Sequence, residues 1–207
     1  MSLLEAFRCC PFIVKLSAIF IDDSNDREAY LRQSRTFQTE KEAPLLYLAS
    51  NFEDEKRRLI EILRVRTLNQ NESIAILLPQ KRQVYGFAQG IREAGIEVET
   101  PEEMNFGNHI PKIMAYPSAK GLTFDTVLLP RLVRSSFANV DESRLLRLLF
   151  VGVSRATRWV YMSACQGQEI PVLERVRSLA EENAMNIQTW TPGDLSIKDQ
   201  REHKKSP

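Results

Sequence analysis

Phe150-Val151-Gly152-Val153-Ser154-Arg155-Ala156 is the stretch on which the reading of this chain turns. It joins an apolar amphipathic run, Arg144 to Val153, to a strand-like run, Trp159 to Met162. A step from helix to strand does not ordinarily need an arginine set among Gly, Ser and Ala. Small neighbours let the backbone pass close to another surface while a permanently charged, five-donor side chain projects from it, which suits phosphate. An arginine in the last turn of a helix is also favoured by the helix dipole alone, so Arg155 by itself decides little.

Outward from that stretch, strand and helix patterns alternate. Leu45 to Ala49 and Ile74 to Leu78 are short, continuously apolar runs of the buried-strand kind. The first is followed by Ser50-Asn51, an N-cap for a charged helix from about Phe52 to Arg66, and the second by a helix with Val84, Phe87, Ala88 and Ile91 inward, ending at Gly95. Ile96-Glu97-Val98 alternates like a strand, Lys112 to Tyr116 and Thr126 to Leu129 read as two more, and Val160 to Ser163 as the last. Leu145, Leu148, Leu149 and Val153 line a helix. Pro11 to Phe20 opens the chain as a helix with proline in its first turn, Asp22 to Arg35 is surface helix or loop, and a helix around Leu173 to Glu182 precedes a solvated tail, Lys198 to Pro207. This alternation predicts an α/β domain with a mostly parallel sheet. One domain over 1–207 is expected, with a core over about 4–165 and a C-terminal helix and tail over 166–207. Ligands of such sheets sit at the carboxyl ends of the strands, where this reading places Ser118 to Leu122.

Lysine and arginine total 28 against 27 acids, so no global field draws the chain onto a polyanion and any nucleic-acid contact must be local. The three cysteines, Cys9, Cys10 and Cys165, form no metal-ligand spacing, and the adjacent pair reads as small buried hydrophobes in a reducing compartment. No run has the length of a membrane span, and a cytoplasmic protein is expected. There is no G-x-x-x-x-G-K-[ST], so the chain is not expected to hydrolyse ATP alone. No G-x-S-x-G, H-E-x-x-H or paired Cys/His spacing occurs, and His109 and His203 stand too far apart to suggest a metal site. Lys56-Arg57-Arg58, Arg64 and Arg66 interleave with Glu53, Asp54, Glu55 and Glu61, which predicts intrahelical ion pairs rather than a phosphate track. Of Trp159 and Tyr161, one is expected in the core and the other against a helix.

Three strings together say more than any one of them. Phe7-Arg8-Cys9, then Tyr116-Pro117-Ser118-Ala119-Lys120-Gly121-Leu122-Thr123-Phe124-Asp125, then Arg147 to Ala156 follow the order and approximate spacing of helicase motifs IV, V and VI. From Leu4 to about Ser163 the chain resembles the second RecA-like motor domain, the C-terminal 2A-type domain, of UvrD/Rep-type superfamily 1 DNA helicases. The resemblance implies a RecA-like three-layer sandwich, helices on both faces of a mostly parallel central sheet. It implies ATP with Mg2+, bound only together with a phosphate-loop domain that this chain does not contain. The implied partners are that first RecA-like motor domain and single-stranded DNA. Arg8 and Arg155 would reach the γ-phosphate, Gly121 and Thr123 would join them at the nucleotide, and Tyr116, Ser118 and Lys120 would lie along the DNA.

The chain also departs from the family pattern. Ala115 and Pro117 stand where motif V commonly has threonine and histidine, Thr123 where it has a glutamate, and Cys9 where motif IV has a small hydroxyl residue. These changes touch strand grip and nucleotide discrimination and leave the two arginines in place. The segment Glu99 to Ile110 is far too short for the large domain that many relatives insert between motifs IV and V. The alternative is a non-catalytic RecA-like module that binds a partner protein or nucleic acid.

Overall fold

Leu45–Ala49 (β1), Ile74–Leu78 (β2), Lys112–Ala115 (β3), Phe124–Leu129 (β4), Ala156–Cys165 (β5) and Asn186–Thr189 (β6) form one sheet in the order β3-β2-β4-β5-β1-β6. The structure is a computed structural model, and it describes residues 10–34, 42–68 and 72–191. Every neighbouring pair of strands is parallel. β1 and β2 are buried at every position, as continuous apolar runs must be when helices cover both faces of a sheet.

The helices are Pro11–Ala18 (α1), Ser24–Gln33 (α2), Phe52–Thr67 (α3), Lys81–Glu93 (α4), Glu142–Val153 (α5) and Glu174–Glu181 (α6). Their starts follow from side-chain chemistry. Pro11 occupies the first turn of α1, the Asn51 side chain accepts from the Asp54 N–H at 3.0 Å, and the Asp141 carboxylate accepts from the Arg144 N–H at 2.9 Å. The ion pairs expected on α3 are present as Lys56–Glu53, Arg57–Asp54 and Arg58–Glu61.

The strand order sorts the helices into two layers. The connections from β1 to β2 and from β2 to β3 run one way along the sheet, and those from β3 through β6 run the other. Right-handed crossovers therefore lay α3 and α4 on one face and α5 and α6 on the other, where α1 and α2, which precede β1, pack with them. Two hydrophobic clusters result. Leu59, Leu63, Val84 and Ile91 fill the α3/α4 side, and Ile13, Leu16, Tyr30, Leu149, Val153 and Val176 fill the opposite side. Each such side chain contributes roughly 1.5–3 kcal/mol by leaving water.

One connection carries no α-helix. Between β3 and β4 the chain makes a 3-10 turn over Tyr116–Ala119 and returns along the sheet face against α5, entering β4 at Phe124.

Several expectations are corrected. Ile96 and Val98 are buried but form no strand: only Glu99 bridges to Lys112, at the outer edge of β3. β6 adds to β1 a strand that the sequence pattern does not announce, within the region read as helix and tail. On α5 the inward leucines are Leu145, Leu146 and Leu149, while Leu148 is half-buried. Trp159 and Tyr161 are both core, stacked at 6.3 Å on the α3/α4 side of β5. Cys10 and Cys165 are free and buried, while Cys9 and the tail 198–207 lie outside the described residues.

Candidate functional site

α5 ends at Ser154, whose N–H donates back to the Phe150 carbonyl at 2.9 Å, and Arg155 is the residue between that end and β5. The Arg155 backbone N–H donates to the Gly152 carbonyl at 3.2 Å. Its guanidinium is held in three directions. Nε donates to the Val151 carbonyl at 3.1 Å, one terminal nitrogen to the Leu122 carbonyl at 3.2 Å, and the other to the Ser154 hydroxyl at 3.1 Å. The first of these is a cation on the last carbonyls of a helix, where the dipole favours it.

The Leu122 contact joins the two strings that the sequence singles out. The Phe124 N–H donates to the Arg155 carbonyl at 2.8 Å, so backbone and side chain of Arg155 both grip the strand entry at 122–124. Gly121 has φ +83°, a left-handed conformation that costs glycine nothing, and it turns the chain so that the Leu122 N–H donates to the Ala119 carbonyl at 3.1 Å. Gly121, Thr123, Ser118 and Lys120 are exposed. This puts Gly121 and Thr123 at the amino end of β4 beside Arg155, not at the carboxyl ends of the strands. Only the start of the loop, around Ser118, lies near the carboxyl edge, because the connection runs back along the sheet.

Tyr116 is a correction. Its side chain is wholly buried between the sheet and α5, so it presents no face to a nucleic acid. Arg8 lies outside the described residues, which begin at Cys10 on this side of the molecule, where the Cys10 N–H donates to the Thr157 carbonyl at 3.0 Å.

Three polar residues at this edge, Asp125, Ser73 and Arg158, were given no role by the sequence reading. The Asp125 carboxylate accepts from the Ser73 N–H at 3.0 Å and from its hydroxyl at 2.9 Å, and Arg158 Nε lies 3.1 Å from it. Asp125 thereby braces the amino ends of β2, β4 and β5, and the only sequence signal was a carboxylate beside the loop string.

At the carboxyl edge a buried carboxylate organises the strand ends. Glu55 of α3, 1% exposed, accepts from the Arg131 N–H at 2.8 Å, from the Arg131 guanidinium at 2.9 Å and from the Ser163 hydroxyl at 2.8 Å. Arg131 takes the left-handed region at φ +65°, which a non-glycine residue holds only when its surroundings fix it. Burial and then the Glu55 carboxylate push the Cys165 thiol up, which favours the neutral thiol over the thiolate.

The described edge around Arg155 combines an arginine anchored on three protein oxygens with an exposed glycine turn.

No protein-family model matches the chain, and no curated protein matches it. Among solved structures, the C-terminal domain of a possible DNA helicase from Lactobacillus plantarum WCFS1 is similar over 87% of this chain and 98% of its own, with 17% identity and a TM-score of 0.66. The fold is RecA-like. The all-parallel sheet between two helical layers is the RecA-like three-layer sandwich. The C-terminal domain of the DEAD-box protein Dbp5 overlaps more loosely, at 14% identity over 71% of this chain and 89% of that one, with a TM-score of 0.46. A DEAD box protein from the hyperthermophile Methanococcus jannaschii does so at 10% identity over 81% of this chain and 47% of that one, with a TM-score of 0.43. Within the RecA-like frame, no helix of the described residues is long and apolar enough to cross a membrane.

Proposed function

We propose that this chain is the second motor domain of an ATP-dependent DNA helicase or translocase of the UvrD/Rep superfamily 1 kind. It would work with a first RecA-like domain that supplies the phosphate loop and Mg2+ ligands. The observation that carries this reading is the double grip of Arg155 on the strand entry, through Leu122 and Phe124, which unites the motif V-like and motif VI-like strings at one sheet edge. The likeness to a domain described as the C-terminal part of a possible DNA helicase supports it.

In the proposed motor, Arg155 and Arg8 face the γ-phosphate of ATP held on the first domain and stabilise charge that develops during transfer. For Arg155 this means exchanging a neutral acceptor, the Leu122 carbonyl, for an anionic one, and hydrogen bonds to anions are roughly twice as strong. Gly121 and Thr123 lie on the nucleotide side of the same loop, and Ser118 and Lys120 carry it toward single-stranded DNA. Tyr116 belongs to the core and takes no part.

The test is ATP turnover with and without single-stranded DNA, on the chain joined to or mixed with a phosphate-loop domain. Arg155→Ala is expected to lower turnover by about 10³–10⁵-fold. One observation favours the second reading, a non-catalytic interaction module: the Arg155 guanidinium is bonded inward in all three of the contacts described. Under that reading Arg155→Ala lowers stability and leaves turnover unchanged.

A further inference from the structure

The arginines and lysines of this chain are mostly paired. Arg57 stands against Asp54, Lys112 against Glu99 and Arg177 against Glu174, and Arg64 donates to the Ala94 carbonyl. At the carboxyl edge of β2 and β4 the pairing stops. Among the described residues, no carboxylate lies against Lys81 or Arg82 at the start of α4, Arg134 in the 3-10 turn Arg134–Phe137, or Arg144 and Arg147 in the first two turns of α5. All of them are exposed, and only Arg82 has a side-chain partner, the Gln80 side-chain oxygen at 2.6 Å.

The fold gathers these cations. The Gln80 amide donates to the Ser136 carbonyl at 2.8 Å and the Gln83 amide to the Ser136 hydroxyl at 3.1 Å, which ties the start of α4 to the turn that carries Arg134. Arg134 and Leu145 line one small cavity, so the same turn adjoins the start of α5. Since α4 and α5 lie on opposite faces, the cations run over the end of the sheet from one helical layer to the other. Of the carboxylates nearby, Asp141 caps α5, Glu142 is held by Arg175 at 3.1 Å, and Glu169, bridged through its backbone to Val133, stands alone against them.

Such a spread selects an extended polyanion. A small anion needs donors that converge on one point, whereas these stand along an arc to which Ser118 and Ser135 add exposed hydroxyls. A single strand bends over the end of the sheet, where a duplex, stiff over about 150 base pairs, stays straight. Platforms for bases are not offered here. Tyr116 is wholly buried and Phe137 is 5% exposed. Tyr85, exposed one turn along α4, donates its hydroxyl to the Glu102 carboxylate, which sets a negative charge beside its ring, and Phe52, at the start of α3, has the Arg131 guanidinium over its ring at 4.9 Å.

We propose that this edge grips a single-stranded polynucleotide through its phosphates alone, with Lys81, Arg82, Arg134, Arg144 and Arg147 as the contacts and no base stacked on the chain. This rests on the DNA partner of the motor reading and adds the mode of grip, which is blind to base identity.

The full chain is titrated by fluorescence anisotropy into a labelled oligothymidylate of about 15 nucleotides and into a strand of the same length without bases. Saturable binding to both, within about three-fold of each other, is expected, with log Kd rising against log salt by about 0.7 per phosphate held. Arg134→Ala with Arg144→Ala should weaken both strands at least about 10-fold and take about 0.7 from that slope for each cation removed, with an unchanged circular dichroism melt. Lys81→Ala with Arg82→Ala, on the other helical layer, should do the same, and Tyr85→Ala should bind as wild type does. A strand without bases held about 10-fold more weakly, a loss of that size in Tyr85→Ala, or binding that neither cation pair alters overturns the proposal. So does a blunt duplex held as tightly, or polyglutamate displacing the strand at equal charge concentration. The assay contains no ATP and Arg155 is outside the set, so this binding and the turnover of the joined motor can fail separately.

Discussion

The ring of Tyr116 lies where a side chain on Gly152 would stand: a Cβ built there comes within 2.5 Å of Cε1 and 2.9 Å of Cδ1 of that ring. The glycine of the Val-Gly-Val step is thus required by the core beneath α5. Gly152→Ala must push a fully buried ring into packed neighbours and is expected to cost about 1–3 kcal/mol. For a chain of this size that lowers Tm by roughly 2–4 °C per kcal/mol, read by thermal unfolding. An unchanged Tm would mean that Tyr116 moves freely. The Tyr116 hydroxyl has no hydrogen-bond partner among the described residues, so Tyr116→Phe should be neutral or stabilise by about 1 kcal/mol.

Glu99 gives the fold an acid limb. Burial alone would raise its pKa, but the Lys112 ammonium at 2.7 Å, the Asn105 N–H and the Asn108 amide outweigh burial and bring it down to about 2. A carboxyl held below its ordinary value near 4.5 adds stability that is complete above that value and is lost as pH falls toward about 2. Glu99→Gln should be less stable than wild type at neutral pH, and the two urea midpoints should converge as pH falls through that window. A constant gap across it would contradict the assignment.

Removing the Glu55 carboxylate leaves the partly exposed Arg131 guanidinium and the buried Ser163 hydroxyl without their acceptor. Glu55→Ala is expected to destabilise by about 3–5 kcal/mol. A double-mutant cycle with Arg131→Ala should show coupling, since the pair shares one contact set. Additive effects in chemical denaturation would refute the coupling.

Gly86→Ala should raise stability by about 1 kcal/mol, because alanine favours the helix and its methyl meets no neighbour. Gly121→Ala should do the opposite, since φ +83° is strained for any side chain. Matched thermal melts of the two variants separate a glycine that the fold needs from one that it does not.

The central strands were legible because they are buried on both faces, so Leu45–Ala49 and Ile74–Leu78 read as unbroken apolar runs. The Asn51 cap was legible because its reach is local, while the same role of Asp141 at α5 was not read. β6 was not legible: Asn-Ile-Gln-Thr is largely exposed, and backbone pairing with β1 makes it a strand. Ile96 to Val98 has the alternation of a strand but, apart from the Glu99 bridge, does not pair with β3. Tyr116, a polar-tipped aromatic in a loop string, went inward because Gly152 makes room, and that pairing lies beyond any local pattern. The Arg155–Leu122 contact and the gathering of unpaired cations at the carboxyl edge depend on strand order, which periodicity does not report.

The connection over 116–123 also has a mechanical side. Ala115 is level with Leu78 on β2, and Phe124 lies below the level of Ile74, so its ends are about 20 Å apart along the strands. Fully extended, residues 116–123 would span roughly 26–29 Å, and the 3-10 turn, which rises only about 2 Å per residue, shortens that. The length it holds in reserve is stored in two turns, the 3-10 turn over Tyr116–Ala119 and the Gly121 turn closed by the Leu122-to-Ala119 bond. A pull on its Leu122 end, where Arg155 holds it, would open those turns before it moved Ser118 near the carboxyl edge of the sheet.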